Sequence, residues 1–229
     1  MKKPGISQEC LKIIACVTML IDHVGAVLLP QSIILRCIGR IAFPIYCFLL
    51  AEGVHYTRNP KKYALRLGAG VLLSEIPFDL AIFGAFTFRY QSVMLTLFLA
   101  FCMALCLKRF ADRVWRGALI LPFALAAEWL MTDYGGMGVV LVALFVLTRE
   151  LPKRGVVQFL GMALIFWLMD SVRIRVFGIP VPLEMFALLA IIPIALYNGV
   201  KSSKSHWVQT GFYLFYPIHL AILYLIRWI

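Results

Sequence analysis

Four side chains near the start of the chain pose the chemical question. Asp22 and His23 stand side by side in IIACVTMLIDHVGAVLL, and Arg36 and Arg40 stand four residues apart in SIILRCIGRIAFPIYCFLLAEG. All four are embedded among apolar residues. A charged group at the centre of a membrane helix costs about 2.5–3.5 kcal/mol, so it persists where it is paired and usually where it is used. Adjacent helical residues point about 100° apart, so Asp22 and His23 do not serve each other as orienter and base. Arg36 and Arg40 share one helical face. Asp22 is therefore expected to neutralise an arginine of the second run, Arg40 foremost, which frees His23 to face a cavity. An imidazole with a free pKa of about 6.5 is suited to taking a proton from an amine or hydroxyl.

Three further groups join this set. Glu75 and Asp79 lie four apart in SEIPFDL, with Pro77 between them, and His219 lies in FYLFYPIHL. At about 1.5 Å per helical residue, His23 falls ~9 Å and Arg40 ~12 Å below the outer end of its helix, with the other three in the same layer. One closed cluster of His23, Arg40, Glu75, Asp79 and His219 is the expectation. The bland alternatives are an Asp–Arg pair that only latches two helices and a histidine that only completes a hydrogen bond. A second set, Glu52, His55, Arg58, Lys61, Lys62 and Arg66, straddles EGVHYTRNPKKYALR. Its cations suit a polyphosphate, or else serve only to fix membrane topology. The glycines of EWLMTDYGGMG lack a preceding strand and a phosphate-loop lysine, so they mark a turn. The six cysteines show no CxxC and no Cys/His metal spacing, and read as small packing residues.

The elements that must position these groups are helices in a membrane. The chain has 229 residues, 62% hydrophobic and 14% charged, whereas a water-soluble domain carries about a quarter charged residues. The expected fold is all-α: a polytopic transmembrane helix bundle forming one integral-membrane domain over residues 1–229. About nine spans are expected, near 10–29, 32–54, 63–84, 91–107, 117–132, 136–148, 155–170, 176–197 and 207–227. The first is read as an uncleaved span. Lys2, Lys3, Lys12, Arg58, Lys61, Lys62, Arg66, Lys108, Arg109, Arg113, Arg116, Arg149, Lys153, Arg154, Lys201 and Lys204 fall at alternate connections. By the positive-inside rule this puts the N-terminus in the cytoplasm and the C-terminus outside. The net charge of +11 is thus a topology signal and not a nucleic-acid footprint.

The block KIIACVTMLIDHVGAVL, then RCIGRIAFPIYCFLLAEGVHYTRNPKKYALRL and SEIPFDL, resembles the TraX family. So do the later EWLMTDYGGMGVV, the LYNG near Asn198 and the closing FYLFYPIHL. The founding member of that family acetylates the N-terminus of pilin in conjugative transfer, and a pilin substrate does not carry over automatically to other members. The resemblance implies a multi-pass acetyltransferase of the bacterial inner membrane. It would take acetyl from cytosolic acetyl-CoA and pass it to a peptide N-terminus or a surface glycan. On that reading His23 is the general base, with Asp22, Arg40, Glu75 and His219 completing the catalytic set. Arg36, Arg58, Lys61, Lys62 and Arg66 would grip the cofactor, and Glu52, Asp79 and Tyr216 would meet the acceptor. No metal is implied. The competing class is a proton- or anion-coupled transporter, in which the same buried groups form a relay. A purely structural membrane subunit would not need them.

Overall fold

Ser7 opens the first helix by accepting the backbone N–H of Cys10 at 3.3 Å, and α1 runs Gln8–Val27. In a computed structural model that describes residues 4–110, 113–169, 171–200 and 206–228, the protein is mostly helical, at 76%. Lys2, Lys3, Lys201 and Lys204 lie outside the described residues. The residues cluster into two compact units, Met1–Tyr46 with Lys153–Ile229, and Cys47–Pro152.

In the first unit α1 packs on α2 (Ile33–Gly39) and on α10 (His206–Trp228). The approach of α1 to α2 depends on two glycines. A Cβ at residue 39 would overlap the Cβ and Oδ1 of Asp22, and one at residue 25 would sit 2.9 Å from the Cβ of Leu35. The expected second span is interrupted at Arg40 and Ile41 before helix α3 (Ala42–Tyr56) begins. Pro44 explains the break, because it has no N–H to offer the carbonyl of Arg40 four residues back. The boundary between the units falls inside α3.

After α8 (Arg154–Leu168) the chain departs from expectation. Residues 176–197 do not form one spanning helix, and the fold is not purely helical. Strands β1 (Arg173–Val176) and β2 (Ile179–Pro182) form an antiparallel hairpin, followed by a 3-10 helix (Leu183–Ala190) and the short α9 (Ile191–Ala195). Phe177 and Gly178 make the two-residue turn with φ of 49° and 82°, the left-handed pair that a tight hairpin requires. Pro180 and Pro182 have no backbone donor for a helix. The N-terminal segment is tied down in this unit as well. Ile6 N–H donates to the Leu196 carbonyl at 2.9 Å and Asn198 N–H to that of Ile6 at 3.0 Å. The LYNG stretch is therefore a latch.

The second unit holds the rest of α3, α4 (Pro60–Phe83), α5 (Val93–Arg109), α6 (Arg113–Trp129) and α7 (Gly135–Thr148). Asn59 caps α4 by accepting the N–H of Lys62 at 2.9 Å, and Pro60 takes the first helical position. The TRNPKK sequence is thus first of all a helix start.

Among the described residues three helical stretches are long and apolar enough to cross a membrane: Gln8–Val27, Ile33–Tyr56 taken across its break, and Val208–Trp228. Outward faces carry exposed Leu65, Leu72, Leu121, Leu160 and Leu164. Trp115, Trp129, Trp167 and Trp228 are exposed near helix ends, where indoles favour the membrane–water boundary. This is a membrane protein. The α1–α2 contact yields a prediction. Gly39→Ala must push the helices apart and should cost ~1–3 kcal/mol. Gly155→Ala, which meets nothing within 4 Å, should be neutral or stabilising by up to ~1 kcal/mol. Thermal unfolding of the two variants in detergent checks the contrast.

Candidate functional site

Asp22 is the hub of a buried ion cluster in the first unit. Its Oδ1 and Oδ2 accept from Arg40 Nη2 at 2.7 and 2.6 Å, and Oδ2 also accepts from Arg36 Nη1 at 2.7 Å. Arg36 Nη1 donates to the Asp22 carbonyl as well, at 3.2 Å. On its other side Arg40 reaches Glu184 Oε1 at 3.4 Å. Side-chain exposure is 9% for Arg40 and 11% for Asp22, so water does little to screen these charges. Two guanidinium groups face two carboxylates, and the formal charges cancel. Glu184 was missed at the level of sequence. It is the lone ionisable residue of PLEMFALLAIIPIAL, and the burial cost that singled out Asp22 applies to it equally.

One residue beyond Asp22, His23 turns to α10. Its Nδ1 lies 2.7 Å from His219 Nε2, and His219 Nδ1 lies 2.6 Å from the carbonyl of Phe215. Ring centroids 4.9 Å apart, with planes inclined by 24°, place the imidazoles end to end and not face to face. The chain of contacts sets the protons. A carbonyl only accepts, so His219 carries its hydrogen on Nδ1. With both rings neutral, His219 Nε2 then accepts, and His23 donates from Nδ1. The Nε2 of His23 is left with its lone pair and no hydrogen-bond partner among the described residues. Tyr216 presses its ring edge on both imidazoles, at centroid distances of 5.8 and 5.7 Å. His219 and Tyr216 are buried, while His23 is partly exposed. Lys12 over the Phe212 ring and His23 beside His219 show α1 and α10 running parallel. On the same helix, Cys16 Sγ meets the Tyr46 hydroxyl at 3.2 Å.

The other expected site residues belong to the second unit, where the carboxylates have partners. Glu75 accepts from the N–H and hydroxyl of Ser92 at 3.2 and 2.8 Å, and Asp79 accepts from Thr87 N–H at 2.8 Å. These two carboxylates anchor the connection between α4 and α5. Glu52 is buried against Arg149 Nε at 2.8 Å. Arg58, Lys61 and Lys62 are exposed, and the Arg66 guanidinium lies 5.7 Å from the Tyr63 ring centroid. The structure thus brings together Asp22, Arg36 and Arg40, and separately His23, His219 and Tyr216. The contacts of Glu75 and Asp79 are instead to their own loop.

The ion cluster makes an unequal prediction. Asp22→Asn strips a charge from two close guanidinium contacts and should cost on the order of 3–5 kcal/mol. Glu184→Gln loses one long contact and should cost clearly less. Thermal unfolding midpoints measured side by side check the order.

The family profile described as "TraX protein" matches residues 7–227. A protein of Dichelobacter nodosus, named "Probable fimbrial assembly protein FimC, serogroup H1", is 30% identical over 231 residues, covering 93% of this chain and 92% of that relative. An uncharacterised protein of Rickettsia prowazekii (strain Madrid E) is 44% identical over 54 residues, 24% of this chain and 21% of the relative. No solved structure matches. With nearly its whole length matched, the chain belongs to the TraX family.

Proposed function

We propose that this protein is a membrane-embedded acetyltransferase that moves an acetyl group from acetyl-CoA to an acceptor at the membrane, with His23 as general base. The observation that carries the reading is the relay from the Phe215 carbonyl through His219 to His23, which reserves the His23 Nε2 lone pair. In the reaction, the acceptor nitrogen or oxygen attacks the thioester carbonyl carbon while Nε2 takes the departing proton. The C–S bond then breaks, and the leaving thiolate takes that proton back from the imidazolium. His219 acts as the positioning residue, since it fixes the tautomer and orientation of His23 and receives its Nδ1–H throughout.

Arg36 and Arg40 are engaged by Asp22. Holding Asp22 therefore fits them better than gripping the cofactor, expected of Arg36, or stabilising an oxyanion, a role that an arginine such as Arg40 could otherwise take. Asp22 fixes α1 against α2 and so places its neighbour His23. The exposed cations Arg58, Lys61 and Lys62, with Arg66, suit the phosphates of the co-substrate. The family is associated with pilin acetylation, and a relative's name places it in fimbrial assembly. A peptide N-terminus is accordingly favoured over a glycan as acceptor, at the bacterial inner membrane.

The test is transfer of labelled acetyl from acetyl-CoA to a peptide with a free N-terminus by purified protein in lipid. His23→Ala, still folded, should lose ~10²–10⁴-fold in rate, the usual worth of a general base. His219→Ala should lower kcat and displace the pH profile while leaving the KM for acetyl-CoA in place. Wild-type rates from folded His23→Ala would remove His23 from the mechanism. Proton flux that needs His23, without any acetyl transfer, would instead point to a proton-coupled carrier.

A further inference from the structure

The second unit contains a cavity of about 670 Å³ where α3, α5 and α7 end and α6 begins. Its walls mix apolar side chains such as Val54, Leu107 and Leu147 with Lys108, Arg116, Arg149 and His55; among the described residues, Glu150 is the one acidic residue lining it. Much of this charge has a structural duty. Lys108 Nζ donates to the carbonyls of Val54 and His55 at 2.9 and 3.0 Å and so caps the end of α3. Arg149 holds Glu52 at 2.8 Å, and bonds Glu150 and the Tyr56 hydroxyl. Burial works against the charge of Arg149, but the adjoining Glu52 carboxylate raises its pKa above the ordinary arginine value, so it stays a cation.

Those duties leave donors over. Arg116 uses its Nε on the Phe110 carbonyl at 3.2 Å, and its two terminal nitrogens have no partner among the described residues. Lys108 has a third ammonium hydrogen in the same position. Both residues line the cavity. Among the described residues three lining cations face one lining carboxylate, a positive excess at the end of the unit where helix carbonyls alone would be negative. Uncommitted guanidinium nitrogens and an ammonium hydrogen on the walls of one cavity match the oxygens of a phosphate, and the volume is that of an ordinary ligand site.

We infer that this cavity binds a phosphate ester, gripped by Arg116 and Lys108 with its organic portion against the apolar wall. Such a group reaches a membrane protein from two sources, a soluble nucleotide carrier such as CoA or the headgroup of an anionic phospholipid. The inference does not depend on the acetyl-transfer reading, because either source satisfies it.

The test uses the full chain in phosphatidylcholine nanodiscs and reads thermal unfolding. One arm titrates CoA, with pantetheine as the carrier lacking phosphate. The other replaces part of the phosphatidylcholine with phosphatidylglycerol. Two variants accompany each arm. Arg116→Gln removes the principal donor. Gly117→Leu adds bulk at a lining position without removing a cation, and a Cβ at residue 117 meets nothing within 4 Å beyond its chain neighbours. Either CoA or phosphatidylglycerol should raise the wild-type midpoint, and pantetheine should not. Both variants should weaken the effective carrier about tenfold or more, the worth of one lost charge-assisted contact. CoA as the active carrier assigns the nucleotide source, and phosphatidylglycerol assigns the lipid. If neither stabilises the protein, or if both variants respond like the wild type, the inference is overturned. Failure through the variants alone, with CoA still stabilising the protein, would leave the acetyl-transfer reading and the role of His23 untouched.

Discussion

Two guanidinium groups and a carboxylate in a pair of apolar helices have to find one another, and much of the first unit follows from that requirement. Removing each ion from water costs several kcal/mol even after relaxation. At ~4 Å and an effective dielectric of about 20, a single contact returns only ~4 kcal/mol. The arrangement is tolerable only if the carboxylate is shared at short range by both arginines, as Asp22 is. Short range in turn needs α1 and α2 close together, which is why residue 39 has no side chain. It also needs Arg40 at a place where the helix opens, and Pro44 supplies that by withholding a hydrogen bond. One constraint thereby selects a glycine, a proline and the break between α2 and α3.

The catalytic proposal is a consequence of the same constraint. His23 follows Asp22 directly, so the clamp that holds Asp22 on α2 turns His23 about 100° away from it. That direction is toward α10, where His219 and the Phe215 carbonyl complete the relay. The ion cluster and the histidine pair thus divide two tasks that adjacent residues on one helix are well placed to separate. One holds the backbone, and the other handles a proton.

Several of these features were legible in the sequence because burying charge is expensive whatever the fold. Asp22, Arg36, Arg40, His23 and His219 all stood out on that ground, and their contacts satisfy it. Depth along a helix, however, does not reveal which neighbour a side chain faces. Glu75 and Asp79 shared the estimated layer of His23, yet their contacts are to Ser92 and Thr87 in the connection that follows α4. Glu184 escaped notice inside a run read as an uninterrupted span. The hairpin before it was visible in principle, since RIRVFGIPVP alternates with a period of two around a glycine. High overall hydrophobicity masked that alternation. The cavity cations Lys108 and Arg116 read as topology residues for a similar reason, because a positive loop looks the same whether or not a pocket lies behind it.

Membership of the TraX family and the histidine relay bear on the same point from different directions, one from kinship and the other from proton positions. The most direct measurement is nitrogen-15 NMR of the imidazoles in lipid-reconstituted protein, which has four histidines to assign. The account predicts that neutral His23 carries its hydrogen on Nδ1, shared with His219, and that its Nε2 is bare. An Nε2–H tautomer at His23, or a spectrum indifferent to His219→Ala, would contradict it.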